Sequence, residues 1–119
     1  MTRNRAVVLA LVVVVFLAVG GFLIARSIGG GGTPVSLSLS VSGTTMTPSD
    51  PSAKQGDKVT MTVTADKAEE IHLHGYDIHF EVPSAGGSVT HTFTADKTGT
   101  FPMEIEQTAT EVGNFTVSP

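Results

Sequence analysis

The stretch from Glu69 to Val82 reads EEIHLHGYDIHFEV and decides the fold expected for this chain. It consists of two short runs that alternate apolar and polar residues around a central Gly-Tyr-Asp. Side chains on a β-strand alternate between its two faces, so each run predicts a strand with one apolar face. The expected apolar face carries Ile71, Leu73, Ile78, Phe80 and Val82.

The same period of two recurs along the rest of the chain after residue 34 and indicates seven or eight short strands. Met46 to Lys54 contains two prolines and is predicted to be a loop or a ragged edge strand. No helical period occurs in this part of the sequence, so we predict an all-β fold, an antiparallel β-sandwich, over residues 34–119. The remaining side chains expected in its core are Val35, Leu37, Leu39, Val41, Val59, Met61, Val63, Val89, Phe93, Phe101, Met103, Ile105, Phe115 and Val117.

Composition excludes several functions. The chain has no cysteine, which rules out disulfides, thiolate metal sites and a cysteine nucleophile. From residue 34 onward, four lysines stand against eleven acidic residues, a formal charge of −7. So acidic a domain repels nucleic acid, and no nucleic-acid partner is expected. No catalytic motif is evident either, so the chain is not expected to be an enzyme.

The N-terminal part of the chain predicts attachment to a membrane. The apolar run over 6–25 is long enough to cross a bilayer, and we predict a transmembrane signal-anchor helix over 6–26. Arg3 and Arg5 precede it and favour a cytoplasmic location for residues 1–5, which places the C-terminal domain outside the cytoplasm. The alternative is a signal peptide that is cleaved after Ala18-Val19-Gly20. The glycine-rich segment 27–33 is expected to be a flexible linker.

Several short motifs follow one another along the chain: Gly56-Asp57-Lys58-Val59, His72-Leu73-His74-Gly75-Tyr76-Asp77, Phe93-Thr94-Ala95, Gly99-Thr100-Phe101 and Val112-Gly113-Asn114-Phe115-Thr116-Val117. Their order resembles that of cupredoxins, in particular the small cupredoxin-like domains of bacterial envelope proteins, including those fused to iron-uptake components. The resemblance covers about residues 35–119. It implies a Greek-key β-sandwich that is exported from the cytoplasm.

The blue-copper centre of the family is not implied here. A type 1 site needs a cysteine thiolate, two histidines and a weak axial ligand. In cupredoxins the cysteine and two further ligands lie around the loop before the last strand. The matching segment, Glu106 to Glu111, contains no cysteine, histidine or methionine. We therefore expect no conventional blue-copper electron carrier.

The histidines of the central stretch are the candidate metal ligands. His74 lies in the region where the family places its first histidine ligand, and His72 is beside it on the same strand face. We predict that a metal, copper or zinc, would bind this pair, with His79, Asp77, Glu111 or a water as a third ligand. The alternative is structural: the imidazoles hydrogen-bond a turn carbonyl or Asp77.

Two other residues are candidate ligands. His91 falls in an apolar row and is expected at the core or its edge with a backbone partner. Met46 is expected in a loop, where its sulfur could join a copper(I) site.

Two functions remain open. The first is a membrane-anchored binding or accessory domain, which would present Tyr76, Asp77, Gln107 and Glu111 at one end of the sandwich to an envelope protein partner or a small ligand. The second is a copper-handling protein that uses His72 and His74.

Overall fold

The computed structural model describes residues 32–119, and this part of the chain is built from strands alone. The predicted cytoplasmic end and anchor, residues 1–26, and most of the predicted linker 27–33 lie outside the described residues. Within 32–119, no helix is long and apolar enough to cross a membrane. The nine strands are β1 (Pro34–Ser42), β2 (Thr45–Thr47), β3 (Ser52–Lys54), β4 (Lys58–Ala65), β5 (Glu69–Leu73), β6 (Ile78–Val82), β7 (Ser88–Thr94), β8 (Gly99–Ile105) and β9 (Thr110–Ser118).

The strands form two sheets that face each other across one core. The four-stranded sheet has the order β2-β1-β4-β7, and the five-stranded sheet has the order β3-β9-β8-β5-β6. The all-β, two-sheet prediction is confirmed. The prediction of purely antiparallel pairing is wrong, because β1 runs parallel to β4 and β3 runs parallel to β9.

These parallel pairs arise because the chain changes sheets between β2 and β4. It leaves the four-stranded sheet after β2, adds β3 to the edge of the other sheet, and returns to place β4 beside β1. A crossover of this kind is what parallel pairing requires, whereas a tight hairpin can only produce antiparallel strands. Alternation in the sequence identifies strands but carries no information about their direction.

The core follows the predicted alternation closely. Ile71, Leu73 and Phe80 are completely buried, and Leu37, Ile78, Val89, Phe93 and Phe101 pack around the buried set as half-buried side chains. The prediction that Met46 lies in a loop is wrong, because it lies in strand β2 and is only 1% exposed. Its sulfur is therefore packed in the core, away from any surface metal site.

Candidate metal centre

The β5–β6 hairpin brings His72 and His79 together. The two residues are opposite each other in the antiparallel register, so their side chains share the outer face of the five-stranded sheet. Their rings stack with centroids 4.2 Å apart and planes 9° from parallel. A metal site at this hairpin therefore draws one histidine from each strand.

The turn that closes the hairpin has an unusual backbone at two positions. Gly75 has φ of +83°, and a Cβ there would lie 2.2 Å from the Phe101 ring, so only glycine fits. Asp77 also has positive φ, +54°. Aspartate tolerates this left-handed conformation better than most residues, and such conformations concentrate at functional sites. Here it brings the Asp77 carboxylate over the two imidazoles.

Three side chains converge at the end of the hairpin. Asp77 Oδ1 lies 3.0 Å from His72 Nε2 and 3.2 Å from His79 Nε2. Within residues 32–119, His72, Asp77 and His79 are the one group of three or more potential ligands whose donor atoms all lie within 4.8 Å of one another. Two ligands that bind one ion at about 2.0–2.2 Å are separated by roughly 3.0–3.5 Å, so the spacing suits a shared metal.

The other nitrogen of each imidazole faces a carboxylate. His72 Nδ1 lies 3.4 Å from Glu106 Oε1, and His79 Nδ1 is hydrogen-bonded to Glu70 Oε2. Metal-binding histidines commonly donate their second N–H to a carboxylate, which fixes the ring and its tautomer. In the tautomer with the proton on Nδ1, each Nε2 would offer its lone pair to a metal in place of its contact with Asp77.

The carboxylates also shift the proton affinities at the site. The hydrogen bond to Glu70 is the main cause that raises the pKa of His79 above its ordinary value, and Asp77 adds to it. The hydrogen bonds from His72 and then His79 lower the pKa of Asp77. Without a metal, the cluster therefore favours a protonated His79 beside an ionised Asp77. A metal ion would replace that proton.

His74, the first-choice ligand from the sequence, lies next to this group but outside it. Its Nε2 pairs with Glu104 Oε1 at 3.0 Å, and its ring centroid is 4.2 Å from that of His72. His72 is thus placed between His74 on one side and His79 on the other, and it is His79 that shares Asp77 with it.

The four residues predicted as a ligand or partner surface do not form one end of the sandwich. Asp77 is in the turn that follows β5, whereas Gln107 lies near the start of β5, where its Oε1 accepts a hydrogen bond from the Glu70 N–H. Glu111 lies on β9 opposite Glu104, on the outer face.

Tyr76, the fourth of those residues, has a structural environment. Its ring packs against Phe101, Phe93 and Phe115 with centroids 4.9, 5.3 and 6.0 Å away. Its hydroxyl donates to the Lys97 carbonyl at 2.7 Å and accepts from the Lys97 N–H at 3.0 Å. Tyr76 therefore ties the hairpin turn to the β7–β8 connection.

His91 supports the hairpin from the opposite sheet. The predicted backbone partner is present, since His91 Nε2 donates to the His79 carbonyl at 2.9 Å. The predicted burial is wrong, because the residue as a whole is exposed on β7, a sheet edge. Its ring meets Phe80 edge-on at 5.0 Å.

Sequence reasoning missed the pairing of His72 with His79 and the roles of Glu70 and Glu106. A signal for the pairing was present. If the turn comprises the four residues between Leu73 and Ile78, an antiparallel hairpin sets His72 opposite His79. The role of Glu70 follows from the same hairpin register, whereas that of Glu106 depends on the β5–β8 pairing, which no local pattern reveals.

Comparison with solved structures gives cupredoxin-like copper proteins. The metal-binding domain of the copper(I)-exporting P-type ATPase CopA of Streptococcus pneumoniae D39 aligns with a TM-score of 0.62 and 13% identity, over 72% of this chain and 87% of that one. A copper-binding protein solved in its apo form aligns at 0.60 and 17%, over 76% and 92%. A chain of a heme-copper terminal oxidase dimer aligns at 0.57 and 14%, over 99% and 100%.

No protein-family model matches the sequence, and the comparison with curated proteins gives no match. At these identities the structural matches establish the fold, which is cupredoxin-like. The likeness to an iron-uptake envelope type stays a prediction.

Proposed function

We propose that this chain is a copper-handling domain that binds one copper(II) ion through His72, His79 and Asp77. The observation that carries the proposal is the convergence of two imidazole Nε2 atoms on one carboxylate oxygen, while both Nδ1 atoms face glutamates. The copper-binding descriptions of the structural neighbours support the same metal.

The donor set favours copper(II) over copper(I). Imidazole and carboxylate ligands suit copper(II), whereas copper(I) is selected by thiolates and thioethers. The chain has no cysteine, and Met46, Met61 and Met103 are buried in the core. Among divalent first-row metals, copper(II) binds a given nitrogen and oxygen site most tightly.

The exposure of the site suits metal transfer. The side chains of Asp77 and His79 are 84% and 39% exposed, and that of His72 is 15% exposed. An ion bound there keeps coordination positions open to solvent, so a partner's ligand can attack before the first ligands leave. We propose transfer of copper and no enzymatic reaction.

The proposed location is the outer side of a membrane. Its support is the apolar segment 6–26 with Arg3 and Arg5 before it, and the formal charge of −7 that follows.

The test is a copper(II) titration of the full-length protein in mild detergent, monitored by calorimetry and by electron paramagnetic resonance. We expect one site with hyperfine coupling to two nitrogens. His72→Ala and His79→Ala should each weaken binding by more than the roughly 10–100-fold typical of losing an outer partner of a metal ligand. His74→Ala, a matched loss of an imidazole from the same hairpin, should leave the affinity nearly unchanged.

Loss of binding in His74→Ala with none in His79→Ala would overturn this ligand set and restore the His72/His74 pair. An intense blue absorption would contradict the proposal more deeply, since it requires a thiolate ligand. Circular dichroism of each variant separates a lost ligand from a lost fold.

The second candidate function is an accessory module that binds an envelope protein partner. It is favoured by the excess of acidic residues on the outer face of the five-stranded sheet, where Glu81, Glu104, Glu106 and Glu111 lie and histidines pair with Glu104 and Glu106. Within residues 32–119, the single lysine–carboxylate ion pair is Lys97–Asp96, so no lysine neutralises this face. A basic partner surface would complement it.

A further inference from the structure

Glu69 is a buried carboxylate without a partner. It occupies the first position of β5 on the inward-facing side, and the residue is only 5% exposed. Neither of its carboxylate oxygens has a hydrogen-bond partner among the described residues. A buried polar group in a folded protein is normally satisfied, so this exception calls for a ligand or a proton.

Glu69 lines a cleft with a volume of about 310 Å³ at the rim of the sandwich. The acidic part of its wall comprises Glu69, Glu70 and Glu81, and Gln107 adds an amide. Val82 and Pro83 form an apolar part. No lysine or arginine is among the lining residues, and Glu70 pairs with His79, so the cleft combines an excess of acidic residues with an apolar side.

The spacing of these carboxylates argues against a single metal ion. Within residues 32–119, the one cluster with three donor atoms inside 4.8 Å is the histidine group at the other end of β5. Glu70 is moreover hydrogen-bonded to His79. The cleft is also far larger than one ion, which occupies a cage of oxygens at about 2.3–2.6 Å.

We propose that this cleft binds the guanidinium group of an arginine side chain from a partner protein. A guanidinium is planar, carries five N–H donors and is weakly hydrated, so it suits a carboxylate that is withdrawn from water. The Glu69 carboxylate oxygens are shielded from solvent, so the side chain would turn toward the cleft to pair with these donors, with Glu81 at the mouth of the cleft. The alkyl stem would lie against Val82 and Pro83. This inference does not depend on copper binding, since Glu69 and the histidine group lie at different ends of β5 and share only Glu70, which lines the cleft and holds His79.

The probe is N-acetyl-arginine amide, titrated into the full-length protein in detergent at fixed ionic strength and followed by amide NMR shifts. We expect saturable shifts at residues 68–70, 81–83 and 107, with a dissociation constant on the order of 1 mM for this single side chain. N-acetyl-citrulline amide has the same shape without the charge, and it should bind at least about tenfold more weakly.

Glu69→Gln should weaken arginine binding about tenfold or more, while Glu111→Gln, the same change on an exposed residue outside the cleft, should not. Equal binding by the arginine and citrulline probes, or an unaffected Glu69→Gln, would overturn the proposal. Tighter saturation of the same amides by calcium chloride than by the arginine probe would also overturn it and identify a metal site.

Discussion

The outer faces of the two sheets have opposite chemical character. On the four-stranded sheet, Thr60 pairs with Thr92, Thr62 with Thr90, and Thr64 with Ser88, all through hydroxyl hydrogen bonds of 2.8–3.3 Å. On the five-stranded sheet, the corresponding cross-strand row runs from His79 through His72 and Glu104 to Glu111.

The hydroxyl pairs satisfy each other, whereas the histidines and carboxylates form the group that we propose as a copper site. Strand alternation therefore determines which residues lie on an outer face. Cross-strand register determines which of those residues contact one another. Threonine rows are explained by their preference for strands. Strand preference does not account for the row of histidines and carboxylates, so its presence reflects either a function or its ion pairs.

The largest effect should come from the core that both faces share. Phe115 is completely buried and its ring lies 5.9 Å from that of Phe93, which joins the five-stranded to the four-stranded sheet. Phe115→Ala should lower the free energy of unfolding by about 3–5 kcal/mol, since it leaves a cavity. Urea unfolding should then report one transition for both faces.

Thr92→Ala, an exposed truncation on the four-stranded sheet, is the control and should cost far less. A loss below about 1 kcal/mol in Phe115→Ala would mean that the sheets do not depend on a common core.

The second-largest effect is expected on copper(II) affinity, which we assign to the outer face of the five-stranded sheet. Glu70→Ala removes the carboxylate that holds His79 Nδ1, and copper(II) binding should weaken by about 10–100-fold, as for other outer partners of metal ligands. Glu81→Ala removes the same charge from the register partner of Glu70 and should weaken binding much less. Equal losses of copper(II) affinity in the two variants would mean that Glu70 acts through its charge alone and not through its hydrogen bond to His79.

A pH dependence should distinguish the faces in the metal-free protein. The pKa of His79 is raised, so its contribution to stability is complete below its ordinary value of 6.5 and disappears as the pH rises through the raised folded-state value. The pKa of Asp77 is lowered, so its contribution is present above 3.8 and is lost as the pH falls through the lowered folded-state value.

Between about pH 4 and 6.5 both contributions are present, and His79→Gln should be most destabilising there. Urea midpoints measured with a chelator between pH 3 and 9 would reveal this window. An equally large effect of His79→Gln at pH 9 would contradict the sign of its pKa shift.

The smallest effect is expected on the hydroxyl face. Thr62→Ala with Thr90→Ala removes one hydroxyl pair and should cost about 0.2–1 kcal/mol, equally at every pH. Copper(II) affinity should not change, since this pair lies on the opposite sheet from the histidines. A change in copper affinity here would show that the two faces are coupled through the core.

Much of the fold could be predicted from local patterns. Alternation placed Ile71, Leu73 and Phe80 in the core correctly, because each fills a face of a strand that has to be buried. Met46 was missed because three residues of strand between a glycine turn and two prolines carry too short a pattern. Its burial depends on β1, with which β2 pairs.

The candidate site was predicted only in part. The sequence indicated the histidine hairpin and the absence of a type 1 centre, since both depend on residue identity within a few positions. It favoured His74 with His72, because residues two apart share a strand face.

By itself, then, the sequence determined that this chain has strands of alternating apolar and polar residues, no cysteine ligand and a histidine-rich hairpin. Only the tertiary structure decided that β1 and β4 run parallel, that His79 shares Asp77 with His72, and that Glu69 is buried without a partner. The reason is physical: alternation and composition act over neighbouring residues, whereas pairing direction, register and burial depend on strands that are distant along the chain.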